Sequence, residues 1–294
     1  MSTTTLTAAA GAAGKIRLGE LEVNRLGYGA MRLTGAGIWG PPADRAACLR
    51  TLRRAVELGV QFIDTADSYG PYVSEELIAE ALYPYPQGLA IATKGGWERV
   101  GPGQWIHNAS PRHLEKAVEG SLRRLRLERI EVYQLHVPDP AVSFEASMET
   151  LARLREQGKI RELALSNVTL EHLERARKIA PIVSVQNRYS FGDREWDYLA
   201  AHCEREKIAF IPWAPLGQVR EASAELERVA QELEATPMQV GLAWLLRRSR
   251  WMLPIPGTAS VQHLEENVAA AGLRLPEAAY RRLLAFQPPP ASLR

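Results

Sequence analysis

The chain has 294 residues, of which 46% are hydrophobic and 24% charged, a composition typical of a globular protein with a sizeable core. Its net charge of +2 excludes a strongly basic chain of the kind that binds nucleic acid through its overall charge. The sequence contains no run of about 18 apolar residues, the length that a membrane span requires.

The cysteines and the N-terminus indicate where the protein works. Cys48 and Cys203 lie far apart in helix-like segments without metal-ligand spacing, so we interpret them as free thiols in a reducing compartment. Residues 1–14 lack the basic start and the long apolar stretch of a signal peptide, and we predict a flexible tail. The expected location is the cytoplasm.

Short apolar runs with the character of β-strands recur along the chain. Residues 15–24 form two such runs about Gly19 and Glu20, which predicts a hairpin with a two-residue turn. Eight further runs lie at 26–30, 61–64, 89–94, 130–136, 160–167, 182–187, 208–213 and 251–257.

Helix-like segments with capping signals lie between these runs. The first covers about 44–58 and ends at Gly59. Ser110 and Thr236 are each followed by proline, as at an N-cap, and Gln239 completes a capping box with Thr236. Further helices are predicted over 144–154, after Thr169, over 194–206 and 222–235, after Ser260 and after Pro276.

Eight strand–helix units with short connections predict a parallel sheet, either closed into a barrel or open and doubly wound. The strands are short and similar, no G-x-G-x-x-G opens the first helix, and polar groups end strands along the whole chain. We therefore predict an α/β fold: a (β/α)8 TIM barrel over 15–294 as a single domain, with an N-terminal β-hairpin and extra C-terminal helices.

Polar side chains stand at the ends of the second, third and fourth predicted strands. Asp64, Lys94 and His136 end these strands, and Tyr69 follows in the loop after the second. Taken singly, the acid could cap a loop, the lysine could be solvated and the histidine could belong to the core. Strand ends of a barrel converge on one mouth, however, so the four side chains are expected to form one site.

These four groups have the chemistry to protonate a carbonyl oxygen. A tyrosine has a pKa of about 10, and we expect the Lys94 ammonium to lower that of Tyr69 while Asp64 keeps Lys94 charged. His136 would hydrogen-bond and orient a substrate carbonyl. Because no side chain donates hydride, the sequence predicts general acid catalysis with a nicotinamide cofactor and no metal.

The motifs occur in an order that resembles the aldo-keto reductase family from the hairpin to the last helix. They are FIDTADSYG (62–70), ATK (92–94), QLH (134–136), LSN (165–167), VQN (185–187), WAPLG (213–217) and IPGTASVQHLEEN (255–267). The resemblance implies Tyr69 as proton donor, Lys94 and Asp64 as the pair that lowers its pKa, and His136 as the carbonyl-orienting residue.

The resemblance also implies NADPH as cofactor, with NADH the less expected choice. Asn167 and Gln186 would hold the carboxamide, and Trp213, where members more often carry tyrosine, would lie under the nicotinamide ring. Gly257 and His263 stand where the best-known members carry a lysine and an arginine against the 2′-phosphate, which leaves the strength of the NADPH preference open. The implied cofactor residues are Gly29, Ala30, Met31, Ser166, Asn167, Gln186, Trp213, Ala214, Pro215, Leu216, Gly217, Ile255, Pro256, Gly257, Thr258, Ser260, His263, Glu266 and Asn267.

Aromatic residues in the predicted mouth loops indicate the substrate. Trp39, Trp97, Trp105 and Val137 predict an apolar or planar carbonyl compound. Segments NRLGYGAM (24–31), GPP (40–42), ALYPY (81–85) and ATPMQVGLAWLLRRS (235–249) resemble bacterial members of the pyridoxal reductase type.

Two other classes of function compete with a reductase. One is a cofactor-sensing, non-catalytic subunit similar to the β-subunits of potassium channels, against which the intact set of four polar residues argues. The other is a metal-dependent barrel hydrolase, for which only Asp64 and His136 qualify as ligands. We predict a small carbonyl substrate as the partner, without nucleic acid or membrane, and leave the oligomeric state open.

Overall fold

A computed structural model describes residues 9–217 and 224–288, in which short strands alternate with helices. The strands are β1 Lys15–Leu18, β2 Leu21–Asn24, β3 Tyr28–Gly29, β4 Phe62–Asp64, β5 Ala90–Gly95, β6 Trp97–Gly101, β7 Gln104–His107, β8 Ile130–Leu135, β9 Ile160–Ser166, β10 Ile182–Arg188 and β11 Ala209–Trp213. The helices are α1 Arg45–Glu57, α2 Val73–Leu82, α3 Pro111–Leu125, α4 Phe144–Glu156, α5 Leu170–Arg177, α6 Asp197–Glu206, α7 Ala224–Glu232, α8 Pro237–Arg248, α9 Val261–Ala269 and α10 Glu277–Ala285.

Seven strands form a parallel sheet that the segment 251–257 closes into a ring. The strand order is β11-β10-β9-β8-β5-β4-β3. On one edge, Leu253 N donates to Phe210 O at 3.0 Å, and on the other, Gly27 N donates to Pro254 O at 2.9 Å. The closing segment thus lies between β11 and β3, and the predicted (β/α)8 TIM barrel is confirmed.

The closing segment is less regular than the eighth strand that the sequence predicted at 251–257. It pairs with β11 through a single parallel bridge between Met252 and Phe210. Pro254 and Pro256 explain the difference, because proline has no backbone N–H and cannot continue a ladder of hydrogen bonds.

The N-terminal hairpin, β1 with β2, covers the bottom of the barrel. Its Leu18 is fully buried and packs in one cluster with Phe62, Val132 and other side chains of the barrel interior. Glu20 N donates to Glu162 Oε1 at 2.9 Å, which ties the turn to β9. With the bottom closed, the polar strand ends lie at the opposite mouth.

Local signals in the sequence correspond to the observed helix starts. Asp44 Oδ1 accepts from Ala47 N at 2.8 Å at the start of α1. Thr236 Oγ1 accepts from Gln239 N at 3.2 Å and Gln239 Oε1 accepts from Thr236 N at 3.0 Å, the reciprocal bonds of a capping box at the start of α8.

Helix α2 and the antiparallel hairpin formed by β6 and β7 were not predicted. The hairpin turns at Pro102 and Gly103, where Gly103 has a φ of 68°. Pro-Gly is a turn signal between strands, so the sequence did contain a trace of this hairpin. The hairpin follows β5 directly and lies at the barrel mouth that carries the polar strand ends.

The start of the folded part differs from the predicted boundary at residue 15. Ala10–Ala13 form a short 3-10 helix, in which Ala10 is buried and its N donates to Leu58 O at 3.1 Å. Residues 1–8 of the predicted tail lie outside the described part of the chain. Within 9–217 and 224–288, no helix has the length and apolarity to cross a bilayer.

Candidate active site

An ion pair inside the barrel anchors the site. Asp64 ends β4 opposite Ala92, so Lys94, two residues further along β5, points to the same face. Lys94 is fully buried, and its Nζ donates to Asp64 Oδ2 at 2.7 Å, to Thr65 O at 2.9 Å and to the Tyr69 hydroxyl at 3.3 Å. The three predicted residues therefore form one connected chain.

Two glutamines hold the second oxygen of Asp64. Gln134 Nε2 donates to Asp64 Oδ1 at 2.9 Å and Gln186 Nε2 donates to it at 2.8 Å. Gln134 was not predicted as a site residue, although it lies in the QLH motif. Gln186 was predicted to hold the nicotinamide carboxamide. Its Nε2 instead donates to protein groups, since it also donates to Gln134 Oε1 at 3.1 Å.

The pKa of Tyr69 is shifted upward, whereas the sequence predicted that Lys94 would lower it. Burial raises the pKa of Tyr69, and the neighbouring Lys94 lowers it by less, so the pKa lies above its ordinary value of 10.0. Burial alone would lower the pKa of Lys94, but attraction to Asp64 and Tyr69 outweighs burial and raises it. At neutral pH the site holds a protonated phenol beside a charged ammonium.

His136, the first residue after β8, is neutral at pH 7. Burial, and then the charge of Lys94, hold its pKa well below 6.5. Its Nδ1 lies 3.4 Å from Ser68 Oγ, and its ring meets that of Tyr69 edge-on with centroids 5.9 Å apart. A neutral imidazole whose Nδ1 accepts from the serine carries its proton on Nε2 and can donate it to a substrate.

Asn167 fixes two of the groups around it. Its φ of 56° is left-handed, a conformation that asparagine tolerates better than most residues. Its Nδ2 donates to His136 O at 3.0 Å, and its Oδ1 accepts from Trp213 Nε1 at 3.0 Å. The amide predicted to hold the nicotinamide thus also sets the orientation of the indole.

A cavity of about 710 Å³ opens at this mouth. The predicted residues that line it are Gly29, Met31, Asp64, Tyr69, Trp97, Trp105, His136, Val137, Ser166, Asn167, Gln186, Trp213, Ala214, Pro215, Leu216, Gly217, Ile255, Pro256 and Gly257. Lys94 is buried behind the wall, and the predicted residues away from it are Ala30, Trp39, Thr258, Ser260, His263, Glu266 and Asn267. A smaller groove of about 530 Å³, beside α3 and α4, has a mostly charged lining.

The unpredicted β6–β7 hairpin supplies an aromatic wall to the cavity. Trp97 and Trp105 pack edge-to-face with centroids 5.7 Å apart, and they lie 6.3 and 6.5 Å from the His136 ring. Trp39, predicted as a third substrate residue, lies instead over the guanidinium of Arg99 at 5.7 Å. The sequence reasoning missed Arg99, which is charged and nevertheless buried.

Close backbone packing explains the glycine at 257. A Cβ there would lie 2.5 Å from Gly29 O, and a Cβ at Gly29 would lie 2.7 Å from Ile255 O. The closing segment and β3 thus leave no room for a lysine at 257. Arg32, which was also missed, lines the cavity here, and its Cγ would lie 3.7 Å from a Cβ at 257.

Three of the implied cofactor residues, Thr258, Ser260 and His263, stand at the start of α9. Ser260 caps the helix, since its Oγ accepts from His263 N at 3.4 Å, and Thr258 Oγ1 accepts from Ser260 N at 3.1 Å. His263 is exposed, Glu266 is half-buried and Asn267 is buried. An exposed helix N-terminus next to the cavity suits an anionic group.

The cavity and its lining fit a nicotinamide dinucleotide. The volume falls in the range of about 300–1,000 Å³ for ligand pockets. Its lining includes Tyr69 and Trp213 together with the segments 214–217 and 255–257. Ala214 has a φ of 50°, a strained value of the kind that concentrates at ligand sites. Across 9–217 and 224–288 no three potential metal ligands come together.

The sequence and the fold of this chain are similar to those of known proteins. The model of the aldo/keto reductase family matches residues 25–287. The chain is 48% identical to pyridoxine 4-dehydrogenase of Escherichia coli, covering 88% of this chain and 93% of the relative. It is 46% identical to an uncharacterized oxidoreductase of Schizosaccharomyces pombe, covering 92% and 89%. A solved aldo/keto reductase from Klebsiella pneumoniae, in complex with NADP and acetate, superimposes with a TM-score of 0.78 at 25% identity, covering 94% of this chain and 96% of that one.

Proposed function

Since the chain belongs to the aldo/keto reductase family and is an NAD(P)H-dependent oxidoreductase, we propose that it reduces ring-bearing aldehydes of the pyridoxal type with NADPH. The observation that carries the proposal is that Tyr69 lines the cavity while its hydroxyl lies 3.3 Å from Lys94 Nζ. The dihydronicotinamide supplies the hydride when it is bound, and the protein supplies the proton.

Tyr69 acts as the general acid. It carries its proton at neutral pH, because burial keeps its pKa above the ordinary value. As the substrate oxygen takes the proton, the phenolate that forms is stabilised by the ammonium of Lys94. Asp64 keeps that ammonium charged and in place, and the two glutamine amides keep Asp64 in place.

His136 orients the carbonyl. A neutral imidazole with its proton on Nε2 donates one hydrogen bond and does not compete with Tyr69 as an acid. Burial and the charge of Lys94 hold its pKa well below 6.5, which keeps the imidazole neutral at pH 7. The edges of Trp97 and Trp105 confine the space beside the ring, so the carbonyl can lie between the two donors.

Two observations support a flat ring aldehyde as substrate. The aromatic wall of Trp97 and Trp105 offers contact to a planar ring. The relative with 48% identity is named for the oxidation of pyridoxine at its 4 position, the reverse of an aldehyde reduction. Pyridoxal is therefore the first aldehyde to test.

NADPH is the proposed form of the cofactor. The Klebsiella pneumoniae relative was crystallised with NADP. In this chain Arg32 lines the cavity beside Gly257, and no ion pair of Arg32 occurs within the described residues. We propose that this arginine and the N-terminus of α9 bind the phosphates of the cofactor, in place of the lysine that the best-known members carry at the position of Gly257.

We further propose a single domain in the cytoplasm. The ring of strands joins the first barrel strand, Tyr28–Gly29, to the segment 251–257, which supports one domain. Cys48 and Cys203 are buried free thiols, which supports a reducing compartment.

The test is NADPH consumption with a panel of aldehydes that includes pyridoxal. Tyr69→Phe should lower kcat by about 10²- to 10⁴-fold, because it removes the proton donor, while the Kd for NADPH stays unchanged. Tyr198→Phe, a change at an exposed tyrosine, is the matched control and should keep full activity. Cofactor binding without turnover by the wild-type protein would refute a reductase, and full activity of Tyr69→Phe would refute the role of Tyr69.

A further inference from the structure

Arg99 is a buried cation that is satisfied almost entirely by backbone carbonyls. It lies on β6 and is 9% exposed. Its guanidinium donates to Gly37 O at 2.9 Å, Ile38 O at 2.9 Å, Ser68 O at 3.0 Å and Gln104 O at 3.0 Å. Within the described ranges it forms no ion pair with a carboxylate. A single side chain thus joins the loops after β3 and β4 to the β6–β7 hairpin.

The same guanidinium lies over the rings of two indoles. Its Cζ lies 3.7 Å from the centroid of Trp105 and 5.7 Å from that of Trp39. A planar, always charged guanidinium can stack on a ring and donate from its edge at the same time, which lysine cannot do. Arg99 therefore holds Trp105 by a close stacking contact and Trp39 by a longer one.

The hairpin depends on Arg99 for its position over the mouth. Besides the arginine, Gly103 N gives it one backbone bond to Gly37 O at 3.2 Å, and Asn108 N bonds Gly96 O at 3.0 Å where the hairpin returns to the barrel. Only Arg99 links the middle of the hairpin to Ser68 among the bonds of the described residues. The aromatic wall moves if this link is lost.

The loop that carries Tyr69 has independent supports. Tyr69 N donates to Ala66 O at 3.2 Å, and Gly40 N donates to Gly70 O at 2.7 Å. The Tyr69 hydroxyl also accepts from Lys94 Nζ at 3.3 Å. Loss of Arg99 is therefore expected to release the hairpin more than the proton donor.

We propose that Arg99 is a positioning residue that sets the preference of the enzyme for ring-bearing aldehydes. It acts through Trp105, and through Trp105 on Trp97, by holding both indoles edge-on to His136. The inference rests on the proposed reductase function. It makes a separate prediction, because substrates that do not reach the aromatic wall are insensitive to Arg99.

The experiment compares pyridoxal with propanal in wild type, Arg99→Ala, Trp105→Ala and the double variant. For Arg99→Ala, kcat/KM with pyridoxal should fall about tenfold or more, mainly through KM, since the loss of one aromatic contact amounts to about a factor of ten in affinity. With propanal it should fall less than about threefold, and the Kd for NADPH should stay within about twofold. The double variant should match the more damaged single variant, because both changes remove the same wall.

Arg247→Ala is the matched control, since Arg247 also stacks on an aromatic ring, Tyr280 at 4.4 Å, but away from the mouth. A parallel loss with both aldehydes, or multiplicative effects in the double variant, would overturn the inference. Quenching of tryptophan fluorescence by pyridoxal in the NADP⁺-loaded protein measures the Kd for pyridoxal without turnover. This Kd is compared between wild type and Arg99→Ala. Wild type that binds but does not reduce pyridoxal would defeat the proposed function alone, whereas an unchanged pyridoxal Kd in Arg99→Ala would defeat the inference on Arg99.

Discussion

Replacing Lys94 by methionine removes the ammonium and leaves the Asp64 carboxylate, whose side chain is 3% exposed, without its cation. Breaking a buried pair in this way destabilises a protein by about 3–5 kcal/mol. The amides of Gln134 and Gln186 still donate to Asp64 Oδ1, so we expect the lower end of this range. Turnover should also fall, because Tyr69 loses the charge that stabilises its phenolate.

A second change separates stability from catalysis. In Lys94→Met with Asp64→Asn the buried charge is gone, and the new amide oxygen can still accept from both glutamines, so about 2 kcal/mol or more should return. Activity should not return. Lys159→Met breaks the half-exposed pair with Glu119 and should cost less than about 1 kcal/mol.

The assay is urea unfolding at pH 7 without cofactor, together with kcat for aldehyde reduction. A loss of less than about 1 kcal/mol in Lys94→Met, or a double variant no more stable than the single one, would refute the stabilising role of the buried pair. Recovery of kcat in the double variant would refute the role of Lys94 beside Tyr69.

Three further predictions follow from named contacts. The pKa of His136 is depressed in the folded state, so the unfolded state binds one more proton below about pH 6.5. The free energy of unfolding should therefore fall by about 1.4 kcal/mol between pH 7.5 and 5.5. Urea unfolding at both pH values should show that His136→Gln lacks this part of the loss. His263→Arg places a guanidinium at the exposed start of α9 and should raise the ratio of NADPH to NADH affinity in fluorescence titrations, and an unchanged ratio would argue against a 2′-phosphate there. Gly19 has a φ of 63° and a Cβ there would lie 2.1 Å from Glu162 Oε1, so Gly19→Ala should destabilise by about 1–3 kcal/mol with kcat unaffected, whereas wild-type stability would show that the hairpin turn adapts.

The barrel and its four polar side chains could be predicted because each depends on a local signal. Strand-like runs alternate with capped helices, and a parallel barrel brings strand ends to one mouth whatever the details of packing. Asp64, Lys94 and His136 needed only their positions at strand ends, and Tyr69 needed only its place in the following loop. The 214–217 and 255–257 segments were expected from the resemblance to the aldo-keto reductase family instead, and both line the cavity.

The parts that sequence reasoning missed depend on contacts between distant segments. Arg99 resembles an ordinary surface arginine until the fold places it against three loops, and Trp39 resembles a mouth residue until Arg99 covers it. The pKa of Tyr69 depends on a balance of burial against Lys94, which composition and spacing do not reveal. Helix α2 has no capping side chain at its start, because its N-cap is Tyr72, whose side chain makes no capping bond.

The most direct test of the central claim follows the hydride itself. The protein is mixed with pyridoxal and with NADPH carrying deuterium at both C4 positions of the nicotinamide, and the alcohol is analysed by mass spectrometry. We predict one deuterium per product molecule, on the carbon of the former aldehyde, in wild type, and little product in Tyr69→Phe. Alcohol without deuterium, or no alcohol from any aldehyde of the panel, would contradict a reductase that takes its hydride from nicotinamide.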